Sequence, residues 1–231
     1  MNADAALRAI ASVGLPGRPA RDRPIELDDR SWNDLAAAMV NHRLAGLLAR
    51  ATADSTIIPN QQQRARVDAM AGLWLSHALQ MERLLLRVLD VLDGVNVECL
   101  VIKGPALAHT IYEDPSHRVF GDLDILVRGS SLSTARKALV GELDGDDVLP
   151  EIRPGFDTEF GKDVLIRVQQ AEIDLHRTLA PVPFGLRIPV DELFVQPASF
   201  PLGNRQIWTL SRSATLLQTC CNAALGDVPP R

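Results

Sequence analysis

Asp122 and Asp124 stand two residues apart in the stretch Gly121-Asp-Leu-Asp-Ile-Leu-Val127. Apart from the two acids the stretch is apolar, and it reads as a strand. Residues two apart on a strand project to the same face. Both carboxylates therefore point out together, while Leu123, Ile125 and Val127 face a core. Two like charges side by side repel, and more strongly near a low-dielectric interior. A divalent cation relieves that repulsion. Mg²⁺ accepts one or two carboxylates and completes its shell with substrate phosphate oxygens. Two such ions, about 3.5–4 Å apart, serve the attacking and leaving oxygens of a phosphoryl transfer.

An anion-holding end lies just upstream. The apolar run Val97–Ile102 reads as a strand that stops at Lys103-Gly104, with Pro105 where a first helical residue would sit. Gly104 lets backbone approach a ligand closely. The helix start offers unpaired N–H groups, and Lys103 adds a full positive charge. Only three lysines (Lys103, Lys137, Lys162) occur among the 24 basic residues. Arg118 lies between the two ends. It reads either as a triphosphate clamp or as a salt bridge to Asp122 or Asp124.

A second acidic strand follows. Val164–Val168 and Glu172–His176 are two apolar-rich runs that suit a hairpin. In the second run Glu172, Asp174 and His176 share one face, and Ile173 and Leu175 the other. Either acid suits a third metal-binding carboxylate. His176 reads as a residue that orients an acid.

These residues carry a resemblance. Lys103-Gly104, Arg118 and Asp122-Leu123-Asp124 resemble the signature of the uncharacterised nucleotidyltransferase family, part of the DNA polymerase β-like nucleotidyltransferase superfamily. The superfamily carries Gly-Ser, then Asp-x-Asp on the next strand, then a third carboxylate on a later strand. Here Lys-Gly stands in place of Gly-Ser. Asp174-Leu175-His176 is similar to the family's acid-Leu-His strand, with Arg177 where the family often has Trp. Asn41–Leu48 is similar to a helical segment that precedes the family's core. The resemblance implies transfer of a nucleoside monophosphate from an NTP, such as ATP, to an acceptor with release of pyrophosphate. It assigns Asp122 and Asp124 to two Mg²⁺ or Mn²⁺ ions, Asp174 to the acceptor-side metal and the acceptor's proton, and Lys103, Gly104 and Arg118 to the phosphates. The acceptor is a small molecule, peptide or protein.

The remaining chain must position these groups. A short helix within 1–13 and a Gly- and Pro-rich loop over 14–24 come first. One helix is expected from Asp29 or Ser31 to about Arg50, with His42 capping or packing on it. A long helix from Pro59 to about Asp93 carries Leu73, Leu75, Leu79, Leu84, Leu85, Leu86, Leu89 and Leu92 on a broad core-facing side. After Val127 a helix over 132–143 leads into a loop over 141–156. Its Asp144, Asp146 and Asp147 lack the spacing of a calcium loop. Residues 181–201, with five prolines, read mostly as loop. A short strand over 204–210 and a helix capped by Ser211 follow. Tyr112 reads as core packing, and His109 and His117 as surface residues.

The fold class expected is α+β: a small mixed sheet of nucleotidyltransferase type with helices before and after it. The divisions expected are 1–94 helical, 95–210 the nucleotidyltransferase core and 211–231 a C-terminal helix, short beside the resembled family. At 231 residues and 46% hydrophobic content the chain can bury a sizeable core. A formal charge of −5 argues against general nucleic-acid binding. Three cysteines are too few for a disulfide framework. No apolar run of membrane-spanning length and no leader pattern is visible, so a cytoplasmic protein is expected. Ala- and Arg-rich usage suggests a bacterial gene. There is no Ser-His-Asp elbow, phosphate-binding P-loop or Cys/His zinc spacing. The other function consistent with these residues is a non-catalytic nucleotide-binding or regulatory protein on the same fold, working with a partner protein.

Overall fold

The structure is a computed structural model that describes residues 2–15, 17, 23–149 and 151–225. The chain forms two compact units: Met1–Gln80 with Leu107–Phe120, and Met81–Ala106 with Gly121–Arg231.

The first unit is helical. It contains α1 (Ala3–Ala11), α2 (Asp29–Asn41), α3 (Ala45–Ala53) and the N-terminal part of α4 (Gln61–Gly94). Asn2 and Asp28 cap α1 and α2, accepting from the amides of Ala5 and Ser31 at 3.0 and 2.8 Å. Asn60 and Gln63 bond each other's backbone amides at the start of α4, a capping box that puts the helix start two residues after Pro59. Ile10, Leu35, Met39, Leu48, Ile57 and Val67 form the core, with Tyr112 packed against it as expected.

The single helix expected up to Arg50 is two helices. His42 is the C-cap of α2, and Arg43 adopts a left-handed φ of 55°. The Leu44 amide then reaches the Met39 carbonyl at 2.8 Å, and the Arg43 amide reaches Val40 at 3.0 Å. That pair of bonds is a Schellman motif. It reverses the chain without the glycine that would have announced it. The broad apolar face expected on α4 is also only half realised. Leu84, Leu85, Leu89 and Leu92 are buried, but Leu73, Leu75 and Leu79 are exposed.

The second unit is built on a mixed seven-stranded sheet. Its elements are β1 (Cys99–Ile102), α5 (Gly104–Thr110, leaving the unit after Ala106), β2 (Asp122–Val127), α6 (Leu132–Glu142), β3 (Asp146–Asp147), α7 (Phe156–Glu159), β4 (Asp163–Val168), β5 (Ala171–His176), α8 (Val190–Leu193), β6 (Ala198–Leu202), β7 (Arg205–Thr209) and α9 (Arg212–Leu225). The strand order is β3-β4-β5-β2-β1-β7-β6. β2 is the middle strand, antiparallel to β1 and parallel to β5. The expected hairpin of β4 and β5 forms, closed around Gln169 at φ 56°.

Two strands arise where loops were expected. β3 pairs with β4, and β6 pairs with β7 despite containing Pro201. β6 is an edge strand, where a residue without an N–H is tolerated. β1 begins at Cys99 rather than Val97, and α5 begins at Gly104 rather than Pro105. Ser211 caps α9 as expected, its hydroxyl accepting from the Ala214 amide at 3.3 Å. Among the described residues no helix is long and apolar enough to cross a membrane.

Both faces of β2 are covered. Leu123, Ile125 and Val127 are fully buried on one. On the other, Leu126 joins Leu100, Ile102, Leu179 and Leu210 in a small apolar cluster. The register pairs Leu100 with Leu126 and Ile102 with Asp124, so Asp124 continues the face that this cluster covers.

Candidate metal and phosphate site

The covered face of β2 explains the first feature of the site. Asp124 does not project into solvent, as alternation alone suggests; it is only 2% exposed. A carboxylate so placed must be paired. It is: Asp124 Oδ1 accepts from Lys103 Nζ and lies 2.8 Å from His176 Nε2. Lys103 reaches it from the end of β1, where its backbone takes a left-handed φ of 55°. His176 reaches it from β5 and is 1% exposed. Burial works against the charge on Asp124. The His176 hydrogen bond and the charges of His176 and Lys103 outweigh it and hold the pKa below the usual carboxylate value.

The parallel pairing of β2 with β5 delivers the second acid. The register sets Asp122 opposite Glu172 and Asp124 opposite Asp174. Asp174 is on the same face as Asp124. Asp124, Asp174 and His176 each offer a ligand atom, and those atoms lie within 4.8 Å of one another. Asp174 is partly buried and, among the described residues, makes no comparable pairing. Burial pushes its pKa up to about 6; Asp124, Asp163 and Asp122 add to the shift, against a partial offset from His176. The two acids are thus chemically unlike: one is held ionised, and the other keeps its proton up to about pH 6.

Asp122 shares this strand face but is outside the three-residue cluster. Glu172 is partly exposed and bonded to Arg167 at 2.9 Å across the hairpin. Gly104 is buried as the first residue of α5. Arg118 ends the 3₁₀ turn Pro115–His117 in the helical unit. Its Nε is buried without a hydrogen-bond partner among the described residues. His117, expected at the surface, is partly buried, and desolvation lowers its pKa.

The donor set fits a hard divalent cation. It offers carboxylate oxygens from two neighbouring strands, with the ring of His176 committed to Asp124. Lys162 and Asp163 were not singled out by sequence. Lys162 Nζ lies 2.8 Å from Asp163 Oδ2, which in turn lies 3.4 Å from His176 Nδ1. Burial disfavours the Lys162 charge, but the Asp163 hydrogen bond and the charges of Asp163, Asp174 and Asp124 raise its pKa. Locating the two-residue turn at Gln169-Gln170 would have revealed Asp163, since counting outward from it sets Asp163 opposite His176.

A family model described as an uncharacterised nucleotidyltransferase matches residues 28–227. No curated protein matches the chain. Two solved structures have similar backbones. One is a crystal structure of ANT(2")-Ia in complex with adenylyl-2"-tobramycin. It has 16% identity and a TM-score of 0.47, covering 65% of this chain and 79% of that one. The other is a solution structure of the antibiotic-resistance factor ANT(2'')-Ia, with 15% identity and a TM-score of 0.45, covering 66% and 75%.

Proposed function

The chain belongs to the uncharacterised nucleotidyltransferase family, and we propose that it moves a nucleoside monophosphate from an NTP to an acceptor hydroxyl with release of pyrophosphate. The observation that carries this most is the facing pair Asp124 and Asp174 on adjacent parallel strands, with Asp122 two residues from Asp124 on the same face.

Asp122, Asp124 and Asp174 would hold Mg²⁺ or Mn²⁺. When bound, the metal screens phosphate charge and acidifies the acceptor hydroxyl. The chain's own groups do the rest. His176 and Lys103 keep Asp124 ionised and oriented. Asp174, opposite Asp124 on the neighbouring strand, is placed to take the acceptor's proton. The acceptor oxygen then forms a bond to the α-phosphorus as the bond to pyrophosphate breaks. Lys103 has three N–H donors, so it can keep Asp124 and still donate to a phosphate. Gly104, the first residue of α5, lets the backbone approach the phosphates closely.

The test is incubation with each labelled NTP, Mg²⁺ or Mn²⁺, and the proteins and small molecules made by neighbouring genes. An acceptor heavier by one nucleoside monophosphate, with pyrophosphate released, is the expected result. NTP that binds but is never consumed would instead support a regulatory nucleotide-binding protein.

A further inference from the structure

His176 has an acid facing each ring nitrogen. Nε2 lies 2.8 Å from Asp124 Oδ1, and Nδ1 lies 3.4 Å from Asp163 Oδ2. The second contact is looser than a good hydrogen bond, and Nδ1 has no hydrogen-bond partner among the described residues. Asp163 is nevertheless where the fold puts it for a reason. It begins β4, and the antiparallel register sets it directly opposite His176 at the end of β5. Lys162 Nζ holds the same Asp163 oxygen at 2.8 Å.

We propose that Asp163 is a positioning residue: it fixes the ring of His176 so that Nε2–H stays aimed at Asp124, and through it orients Asp124 for the metal. This rests on the nucleotidyltransferase reading of the site. The reason is geometric. Rotating the ring by half a turn exchanges each nitrogen with a carbon. Both acids would then face C–H edges, and Asp124 would lose a donor while buried. An ionised carboxylate only accepts, so each nitrogen must carry a proton to be held by the acid it faces: Nε2–H toward Asp124 and Nδ1–H toward Asp163. One carboxylate at Nε2 alone selects the ring orientation weakly; two at opposite nitrogens select it twice. Asp163 is partly exposed, so its effect is transmitted by placement rather than by a strong ion pair.

The experiment compares wild type with Asp163→Ala and Asp163→Asn. Asparagine keeps a polar group that can bond Nδ1. Ring-¹⁵N-histidine protein, free of metal, is read by long-range proton–nitrogen correlation, with His176→Gln identifying the signal. Wild type and Asp163→Asn should show one sharp, slowly exchanging Nε2–H. Asp163→Ala should broaden or lose it. Mn²⁺ affinity should fall about 10-fold in Asp163→Ala and recover in Asp163→Asn. Turnover should fall in kcat with the KM for NTP little changed. Thermal melts check the fold, with Asp163→Ser replacing Asp163→Ala if the latter melts early. An unchanged His176 signal and Mn²⁺ affinity in the alanine or serine variant would overturn the proposal. The ring and metal readouts need no transfer activity, so an inactive wild type would overturn the reaction without deciding the role of Asp163.

Discussion

Asp124 sits opposite Asp174 in the parallel pairing of β2 and β5, yet the two carboxylates have opposite character. Asp124 is buried, bonded to Lys103 and His176, and held ionised. Asp174 is half-buried, surrounded by other acids, and holds its proton up to about pH 6. A divalent cation at this pair would supply the positive charge beside Asp174 that Lys103 supplies beside Asp124.

One consequence concerns stability. The pKa of Asp174 is about 6 in the folded chain, above the ordinary aspartate value of 3.8. Between those two pH values the folded state holds the proton more tightly, so stability falls as pH rises through that window and stays reduced above it. Asp174→Asn should therefore raise the thermal midpoint of metal-free protein at pH 7.5. Discounted for its exposure, the gain is about 1 kcal/mol, or roughly 2–4 °C. It should vanish below pH 4, where wild-type Asp174 is protonated in both states. Melting curves at the two pH values check this; a lower midpoint for the variant at pH 7.5 would show that Asp174 already has a partner.

Glu172 and Asp174 share a strand face but should not share a role. Glu172 forms a partly exposed pair with Arg167, a kind worth about 0–1 kcal/mol. Glu172→Ala should keep kcat within about 5-fold of wild type. Asp174→Ala should lose about 10²–10⁴-fold, while binding nucleotide better than Asp122→Ala does. Steady-state kinetics on the three variants decides it, and equal losses at Glu172 and Asp174 would remove the distinction.

Gly46 makes a prediction about the helical unit alone. A Cβ there would lie 2.5 Å from the Ser116 carbonyl oxygen and 2.6 Å from His117 Cα and its carbonyl oxygen. These are backbone atoms that cannot swing aside, so α3 packs on the turn before Arg118 only because residue 46 is glycine. Gly46→Ala should cost about 2 kcal/mol and lower the thermal midpoint by roughly 4–8 °C. A wild-type midpoint would mean that the turn moves freely.

The strands that carry the acids were legible because their apolar alternation is strong: Asp122–Val127 and Glu172–His176 emerged with their faces assigned. What alternation could not show was that Asp124 lies under a second apolar layer. That depends on Leu179 and Leu210, distant in sequence, coming to rest beside Leu126. The breaks were hard to see for a different reason. Arg43 takes a left-handed φ of 55° at a helix end where glycine is the usual signal. β6 was hidden by Pro201, which an edge position tolerates. Asp163 escaped notice because its partner His176 is set by strand register, and register depended on a hairpin turn with neither Gly nor Asn.

The most direct measurement of the central claim is calorimetry of a non-hydrolysable NTP analogue binding to wild type and Asp124→Asn, with and without Mn²⁺. Shared coordination by protein carboxylates and phosphate oxygens requires that Mn²⁺ bind weakly alone, tighten the analogue in wild type, and fail to do so in Asp124→Asn. Analogue affinity in wild type that is unchanged when all divalent metal is removed would contradict a carboxylate-held metal at this site.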